Sequence, residues 1–400
     1  MANAIVFASP LVPPPVTLRV TVPFAHWLLM STRESIFEAS LDYFLSPIRP
    51  YLQDDSVTEI MVNGHAEIYI ERRGRLSRVD AAFPTEDALE SAVNNIAQYV
   101  GRIIDRERPV LDARLPDGSR VHAIIPPGAR GGTYLSIRKF KRDIYGLEDF
   151  VRLDSLSDAG REFLELCVKL RKNIVVSGGT GTGKTTFLNA LSSAIPEEER
   201  TIVIEDSSEL RLNQEHCLYL ESQQPDSHGK GGLTIRQLFR ASLRMRPDRI
   251  IVGEVRGGEA LDMVQAMISG HSGSLTTVHA NSPRDALVRL ETLSLMSDVD
   301  IPVYVARAQV ASAIHLIVQV TRFVEDGSRK VTRITEAFGL DEANRYQFRD
   351  LFVSHLTGTT REGRLLAELR MTGERPTFSG DIAEHGMGGH VHYTRGLWDE

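Results

Sequence analysis

The stretch from Asn173 to Thr186, N-I-V-V-S-G-G-T-G-T-G-K-T-T, limits this chain more than any other. Ile174, Val175 and Val176 form the short apolar run of a strand buried on both faces. Gly178, Gly179, Thr180, Gly181, Thr182, Gly183, Lys184 and Thr185 then fit the phosphate-loop pattern G-x-x-x-x-G-K-[ST], and Thr186 continues it. Phe187, Leu188, Ala190 and Leu191 follow with the spacing of one buried helix face. Glycines let the backbone curl until several N–H groups converge on one anion, and the helix N-terminus adds partial positive charge at the same spot. Lys184 supplies a full charge for the β- and γ-phosphates, and the Thr185 hydroxyl is a hard ligand for Mg²⁺. ATP and Mg²⁺ are the expected ligands.

The chain has 400 residues, enough for two or three domains, and its 42% hydrophobic and 25% charged residues are those of a globular protein. A net charge of −7 gives no overall basic field for nucleic acid or anionic lipid, so no nucleic-acid partner is expected. Cys167 and Cys217 stand far apart and form no metal-ligand pattern, which fits buried thiols in a reducing cytoplasm. No apolar run approaches the roughly 20 residues of a membrane span.

Residues 1–30 are apolar and rich in proline, and read as extended chain or as a mis-assigned start ahead of Met30. Residues 31–140 read as a small α+β domain. It opens on a helical stretch with Ile36, Phe37, Leu41, Phe44 and Leu45 on one side. A hairpin follows at Asn63-Gly64, then a turn at Arg73-Gly74 and a helix capped by Thr85. Strands are expected at Ser119–Ile125 and Thr133–Phe140. Residues 141–156 read as a linker with a short amphipathic segment. From 157 to 340 strands and helices alternate in the doubly wound way. Strands are expected at 174–177, 201–205, 217–220, 249–252 and 274–278, and helices at 184–194, 233–244, 257–269 and 283–294. Asp326-Gly327 marks a further hairpin. Residues 341–400 are polar, turn-rich and weakly patterned, and read as a C-terminal extension.

Two more acids belong with the phosphate loop. Arg249-Ile250-Ile251-Val252-Gly253-Glu254 places a carboxylate at the C-terminal end of a core strand, where ligands lie in parallel sheets. Most phosphate-loop enzymes carry Asp directly after such a run; here Gly253 intervenes. Glu254 is the expected magnesium–water acid. Thr201-Ile202-Val203-Ile204-Glu205-Asp206 has the same shape, and Glu205 is the expected base for the attacking water, against a plain helix-capping role for Asp206 and Glu209. His279, at the end of a β-like run, is placed to contact the γ-phosphate; His271 opens the same stretch. Arg236, Arg240 and Arg244 line one helix face, with Arg246 and Arg249 beyond. A solvated stripe is the plainer account; arginines reaching a neighbouring subunit's nucleotide is the sharper one.

With these residues in view, the chain resembles the secretion ATPases of the type II/type IV superfamily, and within it the tight-adherence pilus (CpaF) branch. The segments that carry the likeness are Val57–Gly64, Asp112–Val121, Ser136–Phe140, the phosphate loop, Ile204-Glu205-Asp206, Leu243–Asp248, Gly253–Gly257, and Gly270-His271 through Pro283. The resemblance implies an N-terminal α+β domain followed by a RecA-like ATPase domain, assembled as a homohexamer. It implies Glu205, Glu254 and His279 as catalytic, and Arg120 and Arg138 as arginines sent toward bound nucleotide from the N-terminal domain. It further implies a cytoplasmic motor, peripheral at the inner membrane through a platform protein. A conjugative secretion ATPase, and a RecA-like nucleic-acid motor, remain the alternatives.

Overall fold

The computed structural model describes residues 37, 39–72, 74–140, 145–225, 230–360 and 363–398. The proline-rich start and the first residues of the expected N-terminal helix lie outside them. The chain divides into two compact units, Met1–Glu71 with Leu76–Lys139, and Arg72–Arg75 with Phe140–Glu400.

The first unit is a six-stranded sheet with helix α1 (Glu86–Tyr99) as its main cover. Its strands are β1 (Val57–Asn63), β2 (Ile68–Arg72), β3 (Arg75–Val79), β4 (Val110–Arg114), β5 (Arg120–Ile124) and β6 (Tyr134–Arg138), in the order β3-β2-β1-β6-β5-β4. Thr85 caps α1 by accepting from the Ala88 N–H at 3.2 Å, and Leu89, Val93 and Ile96 recur at helical spacing to pack on Ile60, Ile68 and Ile137. The hairpin expected at Asn63-Gly64 forms: Asn63 N–H donates to Glu67 O at 2.8 Å, and Gly64 takes φ 72°. The Leu115–Gly118 turn joins two strands, and its first strand, β4, is absent from the sequence expectation because Val110–Arg114 alternates apolar and charged residues too briefly to stand out.

The second unit carries β7 (Ile174–Gly178), β8 (Thr201–Glu205), β9 (Cys217–Glu221), β10 (Arg249–Val252), β11 (Leu275–His279), β12 (Leu316–Arg322), β13 (Arg329–Leu340), β14 (Tyr346–Thr359) and β15 (Leu365–Met371). The order is β15-β14-β13-β12-β7-β11-β10-β8-β9. From β9 to β12 all neighbours are parallel, and β13, β14 and β15 are added antiparallel. Its main helices are α2 (Leu147–Arg152), α3 (Asp158–Lys169), α4 (Lys184–Ser192), α5 (Ile235–Ser242), α6 (Glu259–Ile268), α7 (Pro283–Leu295) and α8 (Val303–Ala313). Side chains alternate along a strand, so Ile174 and Val176 join the core with Phe163 and Phe187 on α3 and α4. Val175 joins the other core, with Val264, Leu290 and Val310 on α6, α7 and α8. This is the mixed α/β architecture expected.

Two stretches depart from the sequence reading. Within residues 346–371, expected to be weakly patterned, β14 and β15 form the last two strands at one end of the main sheet, with β15 at the edge. Much of β14 is exposed, so it shows neither the apolar run of a buried strand nor clean alternation. Residues beyond it fold back onto α3: the buried Glu162 carboxylate accepts from the N–H groups of His392, Tyr393 and Thr394, and Trp398 stacks on Phe163. Helix α8, which has no side-chain cap, is a further element that the sequence does not mark.

Asn173 staples the entry edge of the sheet. It is fully buried; its Oδ1 accepts from Gly273 N–H at 2.8 Å and Ser274 N–H at 3.1 Å, and its Nδ2 donates to Ala313 O at 2.7 Å. Asn173→Ala strands these partners in the core and is expected to destabilise the chain by about 3 kcal/mol. Denaturant unfolding of the purified protein reads the loss as a lower midpoint at unchanged slope.

Candidate functional site

The phosphate loop leaves the C-terminal tip of β7. At Gly178 a Cβ would lie 2.5 Å from the Val320 carbonyl oxygen and 2.6 Å from Thr182 Oγ1, so only glycine fits. Gly181 and Gly183 adopt φ 70° and 91°, the left-handed region that lets successive peptides turn inward. Thr182 Oγ1 and Lys184 Nζ both donate to Gly179 O at 3.0 Å. Lys184 is buried at the start of α4; Gly179 and Thr185 are half-buried, while Thr180, Gly181 and Thr186 are exposed.

The neighbouring strands bring the other groups to the same end of the sheet. His279 closes β11 opposite Gly178, with its Nε2 3.3 Å from Lys184 Nζ. Burial first, and Lys184 second, hold its imidazole below the usual histidine range, so the neutral ring is favoured there. His279 Nε2 is also 2.7 Å from Glu254 Oε1, a buried oxygen with no other polar partner among the described residues. The other Glu254 oxygen accepts from Arg256 Nε at 2.8 Å, and Arg256 Nη1 lies 3.5 Å from Asp206. Lys184, His279, Glu254, Arg256 and Asp206 thus form one chain of polar contacts across the strand tips.

Glu205 ends β8 and is 4% exposed. Its Oε1 accepts from Glu209 N–H at 2.9 Å and Leu210 N–H at 3.0 Å, while burial pushes its carboxyl up to about 7. The glycine before Glu254 now has a reason: a Cβ at Gly253 would sit 2.9 Å from Glu205 Cγ. Two strands, β11 and β10, lie between β7 and β8, which puts the backbone of Glu205 ~14 Å from that of β7. Glu254, two residues past the end of β10, is one strand closer.

The remaining expected residues divide. His271 precedes β11 at the opposite end from His279, with its N–H on Ala266 O, so the strand's whole length separates the two histidines. Arg236 and Arg240 both donate to Asp262, at 2.6 and 2.8 Å, and Arg244 is exposed. Arg249 does not belong to a surface stripe: it is 1% exposed, paired with Glu199, and donates to Val168 O at 2.8 Å and Gly273 O at 3.2 Å. In the first unit, strand register places Arg114 opposite Arg120, Arg120 opposite Arg138, and Arg138 opposite Glu59. Directly paired residues share a face, so three arginines and one acid form a row across four strands. The pairing adds Arg114 to the two arginines expected there. Arg256 was also overlooked as a site residue, although its place two residues after Glu254 is where a turn brings a side chain back to the strand tip.

A family profile described as "Type II/IV secretion system protein" matches residues 44–372. The type IV secretion system protein PtlH of Bordetella pertussis is 39% identical over 321 residues, covering 73% of this chain and 94% of that protein. The chain belongs to the type II/IV secretion system protein family. VirB11, a type IV secretion system protein of Brucella suis, is 34% identical over 319 residues, covering 72% of this chain and 88% of that protein. The solved Legionella pneumophila ATPase DotB shares the fold, with a TM-score of 0.52 at 19% identity, across 76% of this chain and 82% of that one. With its phosphate loop, this member of the family is an ATP-hydrolysing secretion ATPase. No helix among the described residues is long and apolar enough to cross a membrane.

The donor set suits magnesium. Among the described residues no cluster of three or more His, Cys, Asp or Glu offers a complete cation cage. A half-buried threonine hydroxyl beside the loop and a buried Glu254 oxygen beside His279 instead fit an ion held largely by phosphates and water. The steric limit at Gly178 yields a prediction. Gly178→Ala forces the loop off the Val320 carbonyl, and ATP with Mg²⁺ should then no longer raise the melting temperature, as differential scanning fluorimetry will report.

Proposed function

We propose that this chain couples ATP hydrolysis at its phosphate loop to movement of a secretion or pilus machine in the cell envelope. The observation that carries it is the convergence of Lys184, His279, Glu254 and Glu205 at the C-terminal tips of β7, β11, β10 and β8. ATP lies along the loop, its β- and γ-phosphates met by Lys184 and the inward N–H groups. Mg²⁺, on the Thr185 hydroxyl and through water on Glu254, would neutralise charge on the phosphates. His279, neutral beside Lys184, faces the γ-phosphate and reports its presence. Glu205 takes the proton of the attacking water. Arg120 and Arg138 of the N-terminal unit, residues 31–140, offset the charge that develops as the bond breaks.

The working assembly in this reading is a homohexamer that is cytoplasmic and held to the membrane by a platform protein. Tight-adherence pilus assembly is the narrower assignment; the similarity to PtlH and VirB11 favours a type IV secretion or conjugative machine as its rival. A second reading of the chemistry also has an observation behind it. Glu254 stands one strand closer to the loop and turns a buried oxygen toward His279, so it is the alternative base.

Steady-state phosphate release separates these. Lys184→Ala should lose turnover by about a hundredfold or more, since the loop then lacks its full charge. Glu205→Gln and Glu254→Gln should each bind ATP yet turn over poorly. If all three match wild type, the site is misplaced. The pH profile then identifies the base. A base works ionised, and the Glu205 carboxyl sits at about 7, so kcat/KM should climb as pH rises through that value. A profile flat across it passes the base role to Glu254.

A further inference from the structure

The β12–β13 hairpin reaches the phosphate loop from a distant part of the sequence. β12 pairs with β7 and ends at Arg322, whose register partner across the turn is Arg329 at the start of β13. The turn is fixed by its own bonds: Phe323 N–H to Ser328 O at 2.8 Å, Gly327 N–H to Phe323 O at 2.9 Å, and Ser328 N–H to Asp326 Oδ1 at 2.9 Å. Asp326 Oδ2 also accepts from Leu365 N–H on β15 at 2.8 Å. On the other side, Ser155 Oγ donates to Arg329 O at 2.6 Å, and Lys330 Nζ donates to Asp154 Oδ2 at 2.8 Å. The Arg329 backbone is therefore held by its neighbours on both sides.

Its side chain lies along the loop. Arg329 Nε donates to Gly181 O at 2.9 Å on the exposed side, and its Cδ would be 3.3 Å from a Cβ at Gly183. Arg322 Nη1 comes within 3.4 Å of where a Gly181 Cβ would stand. The two glycines with left-handed backbone are thus the two that the hairpin arginines cover.

We propose that Arg329 is a positioning residue for the phosphate loop. In a trans peptide the carbonyl oxygen and the next N–H point opposite ways. A guanidinium that holds the Gly181 carbonyl on the exposed side turns the Thr182 N–H to the other side, among the donors that gather on the phosphates. The bond is charge-assisted, so it resists the flip that would aim a carbonyl oxygen at an anion. The loop's shape is then set partly by a residue 148 positions away in sequence. This rests on the nucleotide reading above.

The test uses the full chain with two readouts. Hydrogen–deuterium exchange of the peptide spanning Gly178–Thr185, without nucleotide, reads the loop itself. Titration with a fluorescent ATP analogue reads affinity. Arg329→Ala should speed loop exchange and weaken nucleotide binding about tenfold, while Arg329→Lys, which keeps a cationic donor, should recover most of both. Loop exchange unchanged in Arg329→Ala overturns the proposal, and so does faster exchange with unaltered affinity. If Arg329→Ala lowers the melting temperature, Asp326→Asn, which loosens the turn and leaves Arg329 in place, should shift exchange in the same direction; no shift there overturns it too. Lys184→Ala serves as the separate control. Retained affinity in that variant refutes nucleotide binding at this loop, whereas the exchange result judges Arg329 alone.

Discussion

Everything in the second unit depends on a polar turn being forced out of a dry strand. β7 is buried on both faces, and within a few residues the chain must switch to a backbone that exposes N–H groups to an anion. Gly178 has no room for a side chain, and Gly181 and Gly183 take a handedness that other residues resist. The strand supplies rigidity, since parallel neighbours hold it on either side and Asn173 fastens its first residue to the starts of β11 and β12. A loop on a softer support would not keep its donors aimed before the ligand arrives, and preorganisation is what makes such donors effective.

The acids follow from the same sheet. Because β8, β10 and β11 run parallel to β7, their C-terminal tips fall at one edge, so residues far apart in sequence become neighbours. Burial then separates their chemistry. Glu205 is enclosed and holds its proton to higher pH, whereas Glu254 keeps one oxygen on Arg256 and the other near His279. Like residue types come to differ through surroundings alone.

How much of this could be read from the chain depended on how strongly each element declares itself. The phosphate loop and the strands ending at Glu205 and Val252 are legible because fully buried parallel strands carry apolar runs that stop at polar tips, and β11 is legible from its β-branched Thr276, Thr277 and Val278. The Asp326-Gly327 turn was legible from its two residues. What the turn does was not: no local pattern tells that Arg329 reaches back to Gly181. β14 and β15 are not legible because strands so exposed at the end of a sheet need no apolar face, and the spacing that aligns Arg249 with surface arginines carries no information about burial. His271 and His279 look alike in sequence, yet the strand between them places only one beside Lys184.

The glycine that separates Val252 from Glu254 has a consequence for anyone redesigning this protein. Position 253 and the side chain at 205 compete for one small volume, and the Glu205 carboxylate, tethered to two main-chain amides, has little freedom to yield. Grafting the commoner arrangement, an aspartate immediately after the apolar run, would collide with Glu205 unless that residue were shortened as well. The two sites behave as a single unit of substitution: any side chain at 253 requires a shorter one at 205.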